Sequence, residues 1–186
     1  MSKPTYLPLL NSIAVNEAKG QKLLQTWADT AKDPQLKSAL EFVAIREGEH
    51  AMAFTKRICE LGYKVDEASA YQVFKDFPGL LACAGSDATD AEKVAMLGGD
   101  GGEGKDPFRG FFNDTTIDPQ TGELLGRYIA EERDSGRRLR CEYDRVCANA
   151  DANAPVTNDE LSELTACVAE LQGDMKKLRK KMKKLA

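Results

Sequence analysis

The sequence predicts an all-α fold, in which four long helices pack side by side and one long crossover joins the second to the third. Apolar residues recur in steps of three and four along four segments of the 186-residue chain, as the buried face of a helix requires. Aromatic residues make up 7% of the chain and charged residues 30%, which suits a helical protein better than a β-sandwich. The connections, short at Asp33-Pro34 and long over residues 63–118, favour a bundle with a single long crossover.

The first helix is predicted over residues 6–31, with Pro8 near its start, where a proline is tolerated. Glu17 stands in the middle of its apolar face. A buried carboxylate needs a compensating partner, because an unpaired charge is costly to take out of water. The other residues predicted to face inward are Leu10, Ile13 or Ala14, Gly20, Leu24, and Trp27 or Ala28.

The second helix is predicted to begin after an N-cap at Asp33 and to end at Leu61-Gly62. Glu47 and His50 interrupt its apolar face, and their spacing of three points both side chains the same way. A metal ion held by this Glu-x-x-His pair and a buried hydrogen-bonded pair are both consistent with the pattern. The apolar residues of this face are Leu36, Leu40, Val43, Phe54, Ile58 and Leu61.

The short turn at Asp33-Pro34 predicts that Glu17 and Glu47 lie close together. Helices joined by so short a connection are antiparallel neighbours. Glu17 lies sixteen residues before Asp33, and Glu47 lies fourteen residues after it. Folding the hairpin therefore brings the two carboxylates to the same level, which favours the metal interpretation.

The crossover over residues 63–118 lacks a long helical pattern. Short helices are predicted over Asp66–Phe77 and Asp87–Leu97, the second capped by Ser86 or Asp87. The glycine-rich stretch GGDGGEG follows no strand and completes no phosphate-binding motif, so a flexible linker is the better interpretation.

The third helix is predicted to begin after Asp118-Pro119. Glu132 interrupts its apolar face, as a glutamate does in the first two helices, and Glu131 beside it points more obliquely. Ser135 stands three residues after Glu132, where a second Glu-x-x-His pair would need its histidine. The rest of this face consists of Leu125, Tyr128 or Ile129, Leu139, Tyr143 and Val146.

The fourth helix is predicted from Asp159 to the C-terminus and carries no metal-ligating residue on its apolar seam. Its heptad pattern predicts either a coiled coil that pairs chains into a homo-oligomer or a helix packed within its own subunit. We therefore divide the chain into a helical bundle over residues 1–160 and a heptad helix over 161–186. The seam consists of Leu161, Leu164, Val168, Leu171, Met175, Leu178, Met182 and Leu185.

The composition limits the cellular compartment and the binding partners that the sequence predicts. No run of 18 apolar residues occurs, so no membrane span is predicted. The tail from Asp174 to Ala186 has seven Lys/Arg and one Asp, but without aromatic residues among the lysines it favours a solvated helix over a nucleic-acid site. The cysteines are odd in number and form no C-x-x-C pair, which predicts reduced thiols in a cytoplasmic protein. They are Cys59, Cys83, Cys141, Cys147 and Cys167.

With these features, residues 9–61 resemble the first half of a rubrerythrin-type, ferritin-like di-iron domain. The resemblance rests on Glu17 in NEAKG, on Glu47 and His50 in REGEHA, and on Glu132 in YIAEERDSG. It implies that these four residues are metal ligands and that the chain is an oxidoreductase acting on peroxide. That family places another Glu-x-x-His on the fourth helix, where this chain reads ELTACVAEL.

Two functions are consistent with these residues. Three carboxylates and one imidazole suit a first-row metal such as iron or manganese, which would react with peroxide or dioxygen. The alternative is a non-catalytic helical scaffold, oligomerised by its C-terminal helix, whose metal site has decayed to hydrogen-bonded Glu and His residues.

Overall fold

The computed structural model describes residues 3–97 and 113–152, and within them all of the regular secondary structure is helical. The all-α prediction is confirmed, since no strand occurs in these two ranges. The elements are α1 (Leu7–Thr30), α2 (Pro34–Glu60), a 3-10 turn (Glu67–Ser69), α3 (Phe77–Ala84), α4 (Asp90–Leu97) and α5 (Pro119–Ala152).

The α1–α2 hairpin has the bounds that its capping residues predict. The Asp33 side chain accepts hydrogen bonds from the backbone N–H groups of Gln35 (3.0 Å) and Leu36 (2.9 Å), and so satisfies donors that the first turn of a helix leaves unpaired. Gly62 adopts a φ of 85° just after α2, a conformation that favours glycine and ends the helix.

The core consists of two apolar clusters with a layer of polar side chains between them. Glu17, Glu47, His50 and Glu132 lie between the clusters along their own helices, and we call these four residues the polar layer. The first cluster includes Leu10, Ile13, Phe54, Leu125, Tyr128 and Ile129. The second includes Leu23, Trp27, Leu36, Leu40 and Val146.

The prediction of a helix over Asp66–Phe77 is wrong. Only the 3-10 turn Glu67–Ser69 forms there, and the first α-helix of the crossover starts at Phe77, where the prediction ends. Asp76 caps α3 by accepting a hydrogen bond from the Gly79 N–H at 3.1 Å.

Two asparagines of α1 explain why residues 66–73 of the crossover form no α-helix, and we call them the asparagine clamp. Asn11 donates to the carbonyl oxygen of Asp66 and accepts from its N–H, both at 2.8 Å. Asn16 donates to the carbonyl oxygen of Tyr71 at 2.7 Å and accepts from the N–H of Val73 at 3.1 Å. The backbone groups that an α-helix would pair internally are thus paired with α1 instead.

The α4 helix begins at Asp90 rather than at Asp87, because its cap is Thr89 rather than Ser86 or Asp87. The Thr89 N–H donates to the Glu92 carboxylate at 2.8 Å, and the Glu92 N–H donates to the Thr89 hydroxyl at 3.3 Å. These two hydrogen bonds form a capping box.

The α5 helix begins at Pro119, within the Asp118-Pro119 pair after which it was predicted to start. Asp118 accepts from the Thr121 N–H at 3.0 Å and pairs with Arg57 of α2 at 2.9 Å, which fixes the start of α5 against the hairpin. The predicted helix from Asp159, with its heptad seam, lies outside the described residues. No helix in the two described ranges combines the length and apolar character that spanning a bilayer would need.

Candidate metal centre

Three of the predicted site residues converge in the polar layer. Nδ1 of His50 lies 3.1 Å from Oε2 of Glu17 and 3.3 Å from Oε1 of Glu132. One ligand-type atom from each of the three lies within 4.8 Å of the others. Glu17 is 6% exposed and His50 is 4% exposed, so this group is largely shielded from water.

The fourth predicted residue, Glu47, lies beside this group rather than in it. Burial and the charges of Glu17 and Glu132 raise the pKa of its carboxyl group, which indicates that it lies next to the converging atoms. It also lies directly over Gly20, where a Cβ atom would collide with a Glu47 carboxylate oxygen. The glycine predicted on the inner face of the first helix thus makes room for this carboxylate.

Glu131 contacts the second nitrogen of His50, and the sequence did not single it out. Nε2 of His50 lies 2.8 Å from Oε2 of Glu131. Oε1 of Glu131 accepts a hydrogen bond from Nε of Arg127 at 3.0 Å. The apolar periodicity selects Glu132 and leaves Glu131 at the edge of the face, and the only signal for it is the position next to Glu132.

Tyr128 supplies a hydrogen bond that its place in the apolar stripe did not predict. Its hydroxyl donates to Oε1 of Glu17 at 2.8 Å, while its ring packs edge-on against His50 and Phe54. The ring extends the first apolar cluster and the hydroxyl orients a carboxylate of the polar layer.

Ser135 does not belong to the site. It is buried, and its hydroxyl accepts a hydrogen bond from Arg46 of α2 at 3.0 Å. Arg46 also pairs with Asp134 at 3.0 Å. The position where a second Glu-x-x-His pair would need a histidine therefore takes part in packing α5 against α2.

Burial and mutual repulsion raise the pKa values of two carboxyl groups of this site, Glu47 and Glu17. Burial raises the pKa of Glu47 to about 10, with further contributions from the charges of Glu17 and Glu132. Burial also raises the pKa of Glu17, although the hydrogen bonds from His50 and Tyr128 oppose this shift. Without a metal, Glu47 is therefore neutral at pH 7.

The surrounding carboxylates have the opposite effect on the imidazole. Burial by itself lowers the pKa of His50, but the carboxylates of Glu132, Glu17 and Glu131 outweigh it and raise the pKa to about 10. Burial opposes ionisation of Glu131, yet the hydrogen bonds from His50 and Arg127 lower its pKa. Without a metal, His50 is therefore an imidazolium at pH 7.

The donor set fits a metal ion. Oε1 of Glu132 is buried and forms no hydrogen bond of ordinary geometry among the described residues, although it lies 3.3 Å from Nδ1 of His50. A buried oxygen left in this state is costly, and coordination to a cation would satisfy it. A histidine ligand usually donates its second N–H to a carboxylate, which is the position that Glu131 occupies.

Comparisons with known proteins assign no role to these residues, so their role is inferred from their geometry. No family model matches the chain, and no curated protein or solved structure matches it either. The resemblance to rubrerythrin-type proteins therefore stays an expectation drawn from the sequence. The case for the site depends on Glu17, His50 and Glu132, which the structure brings together.

Proposed function

We propose that this protein is a ferritin-like metal-binding protein that holds iron through Glu17, His50 and Glu132, with Glu47 as a neighbouring third carboxylate. The observation that carries the proposal is the convergence of two carboxylates and one imidazole, whose ligand-type atoms lie within 4.8 Å of one another and include a buried Glu132 oxygen 3.3 Å from His50. Iron or manganese suits a set of oxygen and nitrogen donors. When bound, iron would supply electron exchange with peroxide or dioxygen.

The chain's own residues would prepare this site in three ways. Glu131 accepts the proton of His50 Nε2, which leaves Nδ1 free to coordinate. Tyr128 holds one oxygen of Glu17 by its hydrogen bond of 2.8 Å and leaves the other oxygen facing His50. The two apolar clusters lie above and below the polar layer and limit the access of water.

The number of metal ions follows from the number of ligands. Glu17, His50 and Glu132 serve one ion, with water in the open positions. A second ion would need Glu47 as a bridge, together with ligands from elsewhere in the chain or from another chain. The architecture that we propose around the site is a four-helix bundle, in which the segment from Asp159 forms the fourth helix and its heptad seam pairs chains into an oligomer.

The alternative function is a helical scaffold whose metal site has decayed. One observation favours it, because the hydrogen bonds of His50 and Glu17 are complete without an ion. His50 Nδ1 and Nε2 face Glu17 and Glu131, and Glu17 is bonded to both His50 and Tyr128. Oε1 of Glu132, which is buried and forms no hydrogen bond of ordinary geometry among the described residues, favours the metal-binding function over this one.

Metal analysis of untagged protein separates the two functions. We expect roughly one equivalent of iron or manganese per chain, lost in His50→Ala and retained in a surface control, Glu49→Ala, on the exposed face of the same helix. Peroxide consumption by the iron-loaded protein then tests redox activity. Wild-type protein that takes up neither metal would leave the scaffold function in its place.

A further inference from the structure

A cavity of about 740 Å³ opens onto the polar layer between α1, α5 and the crossover. Glu17, Glu47 and Glu132 form its acidic end. The apolar walls include Pro8, Leu9, Ile13, Val73, Phe74 and the ring of Tyr128. Pockets of this size, with apolar walls and a few converging polar groups, are typical of sites for organic molecules.

The asparagine clamp holds the outer wall of this cavity in place. Asn16 pairs with the backbone on both sides of Gln72, and Ser12 accepts a hydrogen bond from the Tyr71 N–H at 3.0 Å. Tyr71 is 74% exposed and Val73 is 60% exposed, although both are apolar enough to favour the core. The hydrogen bonds thus fix two apolar side chains at the mouth of a cavity that leads to the carboxylates.

The size of the cavity exceeds what a small oxidant needs. A water molecule takes up about 30 Å³ in the liquid, and peroxide or dioxygen is only slightly larger. A second cavity of about 380 Å³ shares Glu47 and Phe74 with the first and continues toward Leu23 and Tyr143. The space beside the polar layer therefore suits an elongated molecule.

The lining also selects the charge of that molecule. Among the described residues that line the larger cavity, the ionisable side chains are three glutamates and two tyrosines, Tyr71 and Tyr128, and none is basic. An anionic group would be buried beside three glutamates with no basic partner in the lining, whereas a group that donates hydrogen bonds would find acceptors in their oxygens.

We propose that this cavity binds an organic substrate of the site, with an apolar chain or ring and a hydrogen-bond-donating head such as a primary alcohol or amine. The head meets Glu17, Glu47 and Glu132, and the apolar part lies along Leu9, Ile13, Val73 and Phe74. In making this molecule the substrate of a metal site, the inference rests on the proposed function. The binding of this molecule to the cavity does not depend on the proposed metal function.

Three ligands with the same apolar chain test the proposal by isothermal titration calorimetry. We expect octylamine and octanol to bind to the wild-type protein, and octanoate to bind at least about tenfold more weakly, because its carboxylate would be buried beside glutamates. Equal affinities for octanoate and octylamine would overturn the proposal. Absence of binding by all three would do so as well.

A pair of matched variants locates the binding site. Val73→Ser removes an apolar wall residue that is exposed, so the fold tolerates the change, and we expect the affinity for octanol to fall about threefold to tenfold. Ile45→Ser is the control, because Ile45 is 62% exposed on α2 and lies outside the cavity lining. An equal effect of the two substitutions would place the octanol elsewhere and refute the proposal.

Cobalt(II) used as a probe separates this inference from the proposed function. If the protein takes up no cobalt(II) but binds octanol, and Val73→Ser weakens that binding, the cavity site is supported and the proposed metal function is refuted. In cobalt-loaded protein we expect saturating octanol to change the visible absorption of the ion, since the cavity ends at the proposed ligands. An unchanged spectrum would refute the assignment of this molecule as the substrate of the metal site.

Discussion

Oε2 of Glu131 lies 2.8 Å from Nε2 of His50, while Nδ1 of the same ring faces Glu17 and Glu132. The two nitrogens thus have different partners, one at the edge of the site and two inside it. Glu131 is placed to accept the proton of Nε2, so a metal ion that displaced the proton of Nδ1 would find the lone pair of that nitrogen. Glu131 is therefore a positioning residue for the candidate metal centre.

The first prediction concerns Glu131. Replacing it with alanine removes the acceptor that orients His50, and we expect iron affinity to fall about tenfold to a hundredfold while the fold persists. Metal titration of Glu131→Ala beside Glu49→Ala measures the effect. If both variants bind iron as tightly as the wild type, Glu131 does not act through the histidine.

The second prediction compares two glycines. Gly126→Ala in α5 should raise the free energy of unfolding by about 0.5–1 kcal/mol, because nothing lies near its Cβ position. Gly20→Ala should instead lower it by about 1–3 kcal/mol, because the new methyl group would displace the Glu47 carboxylate. Urea unfolding of both variants checks this pair, and a stabilised Gly20→Ala protein would show that Glu47 moves away at little cost.

The third prediction concerns the pH dependence of the metal-free protein. Since burial raises the pKa of Glu47 to about 10 in the folded state from an ordinary value of 4.5, the folded state binds a proton that the unfolded state has lost between these values. The stability that this proton contributes is fully present below about pH 4.5. It falls as the pH rises toward 10, by up to about 1.4 kcal/mol per pH unit.

His50 affects the same curve at higher pH. The neighbouring carboxylates outweigh burial and raise its pKa from 6.5 to about 10, so its contribution is complete below pH 6.5 and is lost as the pH rises through 10. We expect Glu47→Gln to remove the early part of the decline, so that stability is flatter between about pH 5 and 6.5 and higher at pH 8. Urea unfolding over this range measures it, and a curve that matches the wild type would mean that Glu47 is ionised in the folded protein.

The fourth prediction tests the asparagine clamp. In Asn16→Ala the Val73 N–H loses its acceptor, and we expect its hydrogen exchange to become about tenfold faster or more, since a lost hydrogen bond of this kind is worth about 1 kcal/mol or more. Asn11→Ala is the matched control, because it should speed exchange at Asp66 and leave Val73 protected. Uniform acceleration in both variants would indicate general destabilisation instead.

The sequence predicted the long elements because their signals are local. Asp33, Gly62 and Asp118 cap or end helices through groups within a few residues, so the bounds of α1, α2 and the start of α5 follow from the chain itself. The common level of Glu17 and Glu47 follows from helix geometry and a short turn.

The crossover and part of the site could not be predicted in this way. Residues 66–73 read as a helix because their backbone partners, Asn11 and Asn16, lie more than fifty residues earlier in the chain. Glu131 was missed because hydrophobic periodicity selects one position per turn, whereas a histidine ring presents two nitrogens in different directions. The side position of Glu47 depends on the close approach of α1 at Gly20, which no pattern within α2 reveals.

Asn16 of the asparagine clamp forms hydrogen bonds to backbone atoms of the crossover, which affects which substitutions the protein tolerates. Because Asn16 recognises the carbonyl of Tyr71 and the N–H of Val73, it is indifferent to the side chains at these positions. The mouth of the cavity can accumulate substitutions while the path of the chain is preserved. Selection or directed evolution could therefore retune ligand preference at residues 71 and 73 with little penalty in foldability.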